Sequence, residues 1–571
     1  MNLADLIAVA AGRAPADLLL TDARVVNTLN GRVESGNIAV AGGLIAGVGD
    51  YRDAHQVIDL EGMYLAPGLI DGHIHIESSM LHPVEYARAV VPRGVLGVVT
   101  DLHEVANVGG LEGMRLMIKW CQGLPCDFFF MLPSCVPASH LETSGATLTS
   151  AELRKARRWK NVVGLGEVMN YPGVVNSDRG VLDKVGLFRD DVVDGHAPGL
   201  RGESLNAYMA AGPRSDHEST KLDEAKEKLS KGMYVMIREG SSEKNLAELL
   251  PLVDDGTYKR CFFVVDDRSC VDLLKDGDVD AVVRHAINWG LDPVRAIQMA
   301  TLNTAEYFRL HRLGAVAPGY AANLIAISDL DSMKVDMVFY QGRLVARRGE
   351  MVVDLPKLRT KGLDSTIRIK PFSEDTMALR TGKPEFPVIE LVPGQIVTRK
   401  KTEKVHIRDG VVLPDIERDL LKLVVVERHR ATGNIGVALV KGFGLKRGAL
   451  ASSVAHDSHN VIAVGCRDED ILTAVNEVQR LRGGLVVCEG GAVIASMPLP
   501  IAGLLSDKRL QAAVEEFRKV EQAAAGLGTR LPAPFATLSF LALAVVPELK
   551  LTDLGLVDVV QFRLLGPEDL E

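Results

Sequence analysis

The sequence predicts an α/β protein: a (β/α)8 TIM-like barrel, a small β-sandwich domain built from both flanks of the barrel, and a C-terminal α+β domain. Three observations support this prediction. Apolar runs alternate with helical patterns through the middle of the chain, short strand patterns lie on both sides of that segment, and a charged stretch precedes a third region of mixed patterns. Short apolar runs between amphipathic helices are typical of buried parallel strands.

The small domain is predicted to combine residues 1–66 and 315–351. The first flank contains "DLLLTDARVVN" and "GNIAVAGGLIAGVG", and the second contains "ANLIAISDL" and "VDMVFYQGRLVARRGEM". Val, Ile and Leu recur in these segments with a period of two between glycine-rich turn signals, which is typical of a meander of short strands. We therefore expect both flanks to share one small domain.

Residues 67–314 are predicted to form the barrel. Helical patterns such as "LEGMRLMIKWCQG" separate eight apolar runs: "GLIDGHIH", "GVLGVVTDLHE", "CDFFFMLPS", "NVVGLGE", "DDVVDGH", "GPRSDHE", "GMYVMIREG" and "CFFVVDD". Eight strands that alternate with helices are the pattern of a parallel barrel. Residues 352–385 are charged and weakly periodic, so we expect a linker there. Residues 386–571 mix strand patterns such as "KLVVVERH" with helical ones such as "DEDILTAVNEVQRLRG", which predicts an α+β domain.

Composition and charge exclude several classes of protein. The net charge is −9 with no basic block, which disfavours a nucleic-acid surface. The seven cysteines form no Cys-x-x-Cys pair, which disfavours a disulfide framework and indicates a reducing compartment. The longest apolar run, "FATLSFLALAVVPELKL", is too short and too interrupted by proline to span a bilayer. We therefore expect a cytoplasmic protein that binds neither nucleic acid nor membrane.

Ionisable residues recur where the predicted barrel strands end. His73 and His75 are two residues apart, so a strand would point both side chains the same way. Chemistry in such barrels collects at the C-terminal ends of the strands. The strand-end set is His73, His75, Asp101, His103, Glu104, Ser134, Glu167, His196, His217, Glu218, Arg238, Glu239, Asp266 and Asp267.

The imidazoles and carboxylates of this set suit two divalent cations. The predicted metal ligands are His73, His75, Glu167, His196, His217 and Asp266. The two histidines of the His-x-His pair and Asp266 would hold one ion, His196 and His217 the other, and Glu167 would bridge them. Glu167 and Asp266 are the predicted catalytic residues, with Asp266 carrying a proton from the activated water to the leaving group. Asp267 stays open as an alternative, because strand alternation would let only one of the two face the barrel mouth.

Six motifs are long enough to indicate a family: "PGLIDGHIHIESSM", "VVTDLHEVANVGG", "GLGEVMNYPGVV", "DGHAPGLRGESLNAYMAAGPRSDHEST", "MYVMIREGS" and "SSVAHDSHNVIAVG". From about residue 17 to the C-terminus the chain resembles the adenine deaminases of bacteria and archaea, within the amidohydrolase superfamily. The resemblance implies hydrolytic deamination of adenine to hypoxanthine and ammonia by a metal-bound hydroxide, as in purine salvage. It also implies two divalent ions per chain, Mn(2+) or Fe(2+).

One strand end separates this family from others in the superfamily. Many relatives carry a carboxylated lysine at the end of the fourth strand, whereas this chain has Glu167 there, as the adenine deaminase family implies, and Lys160 precedes the strand. The last strand departs from the relatives at Val265 and at the following "RSC", near the rim of the substrate pocket. These departures leave Asp266 and Asp267 in place.

Several further residues are candidates for substrate contact. Glu77 follows the His-x-His pair and could orient a ligand histidine. The run "SSVAHDSHN" could bind metal on its own or pack internally, but we expect it near the mouth of the active site. The candidate substrate-binding residues are Glu77, His103, Glu104, Ser134, His456, Asp457 and His459.

Two other functions stay open at this point. The same metal centre could act on another cyclic amidine or amide, such as a cytosine-like base or a hydantoin. A catalytically silent relative could keep the fold as a binding protein. The presence of all six predicted ligands argues against this, because the fold alone requires none of them. We expect adenine and water as the substrates and a homo-oligomer, a dimer or a tetramer, as the assembly.

Overall fold

The structure is a computed structural model that describes residues 2–566 and residue 569. Five residues at the outer ends of the predicted terminal domains lie outside the described residues: 1, 567, 568, 570 and 571. The first flank contains α1 (Leu3–Ala10), β1 (Ala16–Asn27), β2 (Arg32–Ala41), β3 (Leu44–Gly49), β4 (Ala54–Asp59) and β5 (Tyr64–Pro67). In this flank β1 pairs antiparallel with β2 and parallel with β4 and β5.

Eight parallel strands follow: β6 (Leu69–Ile74), β7 (Val95–Asp101), β8 (Asp127–Leu132), β9 (Val162–Val168), β10 (Val192–Gly195), β11 (Ser215–Asp216), β12 (Tyr234–Arg238) and β13 (Cys261–Val264). Strands β6 to β10 form one parallel sheet, and β11 to β13 form a second. Hydrogen bonds cross both gaps between the sheets, from Arg214 N to Val193 O at 3.0 Å and from Asp266 N to His73 O at 2.9 Å. The strands are almost entirely buried, as their apolar runs require.

Eight helices lie between these strands: α2 (Pro83–Val90), α3 (His103–Trp120), α4 (Ser150–Ala156), α5 (Tyr171–Val175), α6 (Arg179–Leu187), α7 (Gly202–Ala211), α8 (Leu222–Ser230) and α9 (Leu246–Leu249). Four more follow the last strand: α10 (Cys270–Lys275), α11 (Val279–Asn288), α12 (Pro293–Met299) and α13 (Leu302–Tyr307). Helix α3 begins directly after β7, where Asp101 Oδ1 accepts a hydrogen bond from the His103 N–H at 3.0 Å. This cap places His103 and Glu104 at the strand end.

The second flank returns to the first sheet. It contains β14 (Leu324–Asp329), β15 (Lys334–Tyr340), β16 (Arg343–Arg347) and β17 (Glu350–Met351). Strand β14 pairs antiparallel with β5, so the two flanks form one nine-stranded sheet in the order β17-β16-β15-β14-β5-β1-β2-β3, with β4 beside β1. Leu20, Ile38, Leu65 and Phe339 from both flanks share its buried core.

The remaining described residues form a third region, in which the first regular strand is β18 (Glu385–Leu391). It continues with β19 (Thr398–Lys404), β20 (His406–Arg408), β21 (Val411–Leu413), β22 (Leu420–Val426), β23 (Ile435–Lys441), β24 (Ala449–Ser452), β25 (Val461–Gly465), α14 (Asp468–Arg480), β26 (Gly484–Glu489), β27 (Ala492–Pro498), α15 (Leu510–Gly526), α16 (Pro534–Phe540), β28 (Leu549–Thr552), β29 (Gly555–Asp558) and β30 (Arg563–Leu564). Its main sheet has eight strands in the order β19-β18-β23-β22-β25-β24-β26-β27.

This third region packs on the helices and loops around the parallel strands. The Leu510 N–H donates to Glu85 Oε2 at 3.0 Å, and Thr552 Oγ1 donates to Leu141 O at 2.6 Å. Apolar residues from both parts share one continuous core. Among the described residues, none of the helices is both long and apolar enough to cross a lipid bilayer.

Gly195 lets β10 and β11 approach each other closely where the two parallel sheets meet. A Cβ at this position would lie 2.2 Å from the carbonyl oxygen of Ser215. We expect Gly195→Ala to lower Tm, since overpacking a buried site typically costs about 1–3 kcal/mol. Gly186→Ala in α6 is the matched control, because a Cβ there meets no atom within 4 Å and alanine favours a helix. A Gly195→Ala protein that melts at the wild-type temperature in a thermal unfolding scan would show that the two strands are not in close contact.

Candidate metal centre

Side chains from the ends of five parallel strands meet in one buried cluster. Two of its histidines, His73 and His75, lie at the end of β6, and Glu167 lies near the end of β9. The other three residues of the cluster come after β10, β11 and β13. All six predicted ligands belong to the cluster, and each is 9% exposed or less: His73, His75, Glu167, His196, His217 and Asp266. The structure therefore brings together, from distant parts of the chain, residues that the strand-end pattern had grouped.

The carboxylate of Glu167 lies in the middle of this cluster. Its Oε1 is 3.1 Å from His75 Nε2 and 3.6 Å from His73 Nε2. Its Oε2 is 2.6 Å from His196 Nδ1 and 3.3 Å from His217 Nε2. Burial alone would raise the pKa of Glu167, but the imidazoles of His217, His196 and His75 hold the pKa well below its ordinary value. Each oxygen of one carboxylate thus faces a different pair of histidines.

The donor set fits divalent transition-metal ions. Several groups of donor atoms lie within 4.8 Å of one another. Groups made only of predicted ligands include His73 with His75 and Glu167, Glu167 with His196 and His217, and His73 with His217 and Asp266, while others contain His103. His73 Nε2 is buried and forms no hydrogen bond within the described part of the chain. A buried ring nitrogen without a partner is unfavourable, and a cation shared with the neighbouring donors would satisfy it.

Comparison with known proteins agrees with this geometry. A family model described as the adenine deaminase C-terminal domain matches residues 395–563, and the amidohydrolase family model matches residues 64–345. The adenine deaminase of Dehalococcoides mccartyi is 58% identical over 567 residues, which cover 99% of both chains. The chain belongs to the adenine deaminase family. Adenine deaminase 2 of Carboxydothermus hydrogenoformans is 48% identical over 562 residues, 98% of each chain. Among solved structures, the β-aspartyl dipeptidase of Fervidobacterium islandicum is 17% identical, with a TM-score of 0.47 over 60% of this chain and 99% of that chain.

Asp266 lies beside His73 and His75, as predicted, but strand alternation does not place it there. Strand β13 ends at Val264, so Asp266 and Asp267 lie beyond the strand, and strand alternation does not decide between them. Asp266 has a left-handed φ of 60°, a conformation that Asp tolerates better than most residues. Its Oδ1 is 3.2 Å from His75 Nε2 and 3.4 Å from His73 Nε2. The left-handed turn therefore directs Asp266 into the cluster.

Arg238 ends β12 and fixes the other oxygen of Asp266. Its Nη1 donates to Asp266 Oδ2 at 2.6 Å and to Glu218 Oε1 at 2.5 Å, and its Nη2 donates to Glu218 Oε2 at 3.1 Å. Burial alone would raise the pKa of Asp266, but the facing imidazoles of His73 and His75 and the charge of Arg238 hold the pKa well below its ordinary value. The strand-end pattern contained Arg238 but did not assign it this role.

Residues behind the cluster hold the backbone of Glu167. Ser134 Oγ donates to the Glu167 carbonyl oxygen at 2.5 Å, and the Glu167 N–H donates to Asp101 Oδ2 at 3.0 Å. A Cβ at Gly166 would lie 1.7 Å from that same Asp101 oxygen, so glycine makes this contact possible. Ser134, which was predicted to contact substrate, is therefore bound to the backbone of a predicted ligand.

Other predicted substrate contacts lie on the side of the cluster that faces the third region. His103 is buried with its ring centroid 4.4 Å from that of His75, and its Nδ1 is 3.6 Å from Glu167 Oε1. Glu77 Oε1 accepts a hydrogen bond from the Val105 N–H at 3.2 Å, so it holds the first turn of α3. Burial raises the pKa of Glu77 to about 7, with a contribution from nearby Glu104.

The loop between β24 and β25 brings three of the predicted residues to the barrel side. His456 Nδ1 is 2.8 Å from Glu104 Oε1, and His459 Nε2 contacts Glu104 Oε2. Asp457 Oδ1 is 4.0 Å from His103 Nε2. All three are buried, so the loop from the region matched by the adenine deaminase C-terminal model is packed directly against the predicted metal centre.

We expect Mn(2+) to raise the Tm of the metal-free protein, because an ion that binds only the folded state stabilises it by about 2.7 kcal/mol at a hundred times Kd. His217→Ala removes one donor and should reduce this shift strongly. His406→Ala is the matched control, because His406 is 71% exposed and outside the cluster. Equal shifts in both variants, measured by differential scanning fluorimetry, would contradict metal binding at this cluster.

Proposed function

We propose that the chain deaminates adenine hydrolytically, giving hypoxanthine and ammonia, at a centre of two divalent ions. The observation that carries this proposal is the carboxylate of Glu167, whose two oxygens face two different pairs of histidines. Relatives named adenine deaminase match the chain over nearly its full length, which supports adenine as the substrate.

His73, His75 and Asp266 would hold one ion and His196 and His217 the other, with Glu167 shared between them. Mn(2+) and Fe(2+) both accept imidazole and carboxylate ligands, and we propose one of them as the native metal. When bound, the ions supply Lewis-acid activation of water, so that hydroxide is available near neutral pH. The protein contributes the fixed positions of these donors, because every one of them is buried at or just beyond the end of a strand.

Asp266 is the proposed proton carrier. The attacking water forms a bond from its oxygen to C6 of adenine, and the bond from C6 to the exocyclic nitrogen breaks. The departing amine needs a proton, because an amide anion is a very poor leaving group. The Asp266 carboxylate takes a proton from the water and delivers it to that amine, and the hydrogen bond from Arg238 to Oδ2 fixes its orientation.

The fold proposed for this function is a closed (β/α)8 barrel over residues 67–314. The hydrogen bonds across both gaps between the two parallel sheets support closure. We further propose that residues 1–66 and 315–351 form one discontinuous domain, that residues 352–385 link it to the rest, and that residues 386–571 form the C-terminal domain. The nine-stranded sheet shared by the two flanks supports the first of these divisions.

The third region is proposed to close the substrate side of the centre. His103 and Glu104 on the barrel face Asp457 and His456 on the third region, so substrate would meet side chains from both. We propose His103, Glu104, His456 and Asp457 as the residues nearest to the reacting edge of the bound base, at C6 and its amine. Glu77, Ser134 and His459 would hold these residues and the ligands in place.

The test is ammonia release from a panel of adenine, cytosine and a hydantoin by the Mn(2+)-loaded protein. We expect hypoxanthine and ammonia from adenine only, and loss of activity when a chelator removes the metal. Asp266→Asn should lower kcat by at least about 10²–10⁴-fold, because it removes the proton carrier. Asp267→Asn is the matched comparison and should lower kcat far less. Activity on cytosine or hydantoin instead of adenine, or equal kcat losses in the two variants, would contradict the proposal.

A further inference from the structure

A cavity of about 530 Å³ lies between the strand-end side of the barrel and the third region. At one end it is lined by Ser78 and Asp267, which follow the predicted ligands His75 and Asp266 in the chain. His456, which contacts Glu104 through Nδ1, lines the same cavity. The cavity is therefore adjacent to the predicted metal centre, and its volume is typical of a small-molecule site.

The end of the cavity beside the centre is polar. Asp267 is only partly buried, and its Oδ1 accepts a hydrogen bond from Ser78 Oγ. The carboxylate oxygens of Asp267 can accept further hydrogen bonds. This end of the cavity therefore suits a ligand that presents N–H groups.

The part of the lining that the third region contributes is largely apolar. The ring of Phe540 stacks on that of His456, with centroids 4.7 Å apart and an angle of 12° between the planes. Val392, Ile396 and Leu541 line the cavity beside Phe540. A wall of this composition suits the flat apolar face of an aromatic ligand.

Lys550 holds this wall together from behind. It is fully buried, and its Nζ donates to Ile396 O at 2.7 Å and to Phe540 O at 2.9 Å. Burial lowers the pKa of Lys550 to about 7. Within residues 2–566 and 569, no carboxylate forms an ion pair with it. Burying an ammonium group that binds only carbonyl oxygens costs free energy. Here the group links the segment around Ile396 to the end of α16 at Phe540, and both segments line the cavity.

We propose that this cavity binds the ring of an aminopurine, with Phe540 contacting the face of the base, Asp267 accepting from its N–H edge, and Lys550 acting as a positioning residue for the apolar wall. This inference rests on the proposed function and names the part of the third region that selects the substrate. Six-membered rings without the fused imidazole would cover less of the apolar wall, so the same wall would favour purines over single-ring bases.

The test uses the metal-loaded full-length protein and measures KM and kcat for adenine, Kd for hypoxanthine by calorimetry, and metal content. Phe540→Leu keeps an apolar side chain but removes the aromatic face, and Lys550→Met removes the bonds to both carbonyls. We expect KM for adenine and Kd for hypoxanthine to rise about tenfold or more in each variant, since stacking of a base on an aromatic ring is worth about 1–3 kcal/mol. The kcat value and the metal content should change less than about threefold.

Lys422→Met is the matched control, because Lys422 is also buried in the third region and binds Met377 O and Asp468 away from the cavity. It should leave KM and Kd unchanged even if Tm falls. If Phe540→Leu keeps the wild-type KM and Kd, the proposal that this cavity binds the base is wrong, whether or not Lys550→Met folds. A wild-type protein that binds hypoxanthine in a Phe540-dependent way but releases no ammonia from adenine would contradict the proposed function and leave the pocket standing.

Discussion

A buried carboxylate surrounded by imidazoles is the interaction on which the rest of the site depends. Glu167 is 2% exposed, and moving an ionised carboxylate out of water costs several kcal/mol unless other groups offset it. Four histidines contact its two oxygens from three other strand ends. Only an arrangement that brings separate strands to one point can supply such partners. A divalent cation bound by these donors would offset the desolvation of the carboxylate and satisfy the ring nitrogens together.

Close contacts with the backbone hold Glu167 and its neighbours in this arrangement. Asp101 binds both the Glu167 N–H and the His103 N–H, so it sets β9 against the start of α3. Glycine at 166 leaves the space for that contact. On the other side of the cluster, Arg238 joins Asp266 to Glu218, which lies 3.4 Å from His217 Nε2. Arg238 therefore connects the two predicted metal positions through its hydrogen bonds to Asp266 and Glu218 and the contact of Glu218 with His217.

The pattern of the sequence was sufficient to group the six predicted ligands, but not to identify the residues that hold them in place. Strand β6 covers the expected run, and histidines and carboxylates at the strand ends converge because parallel strands end at one side. Local patterns could not show that His459 reaches Glu104, since 355 positions separate them and only tertiary packing joins them. The left-handed turn at Asp266 has no signal in an alternating strand pattern. Helix α3 consists of two helical segments that meet at non-helical Gly110, and the apolar pattern that begins at Leu111 predicts only the second of them.

The central claim is that the two oxygens of Glu167 belong to two different metal positions of one centre. Electron paramagnetic resonance of the Mn(2+)-loaded protein tests this claim most directly, because two manganese ions that share a bridging carboxylate are magnetically coupled. The account predicts a coupled pair in the wild-type protein, and a spectrum of isolated Mn(2+) with fewer ions per chain in Glu167→Gln. A wild-type spectrum of isolated ions alone, or an unchanged coupled pair in Glu167→Gln, would contradict it.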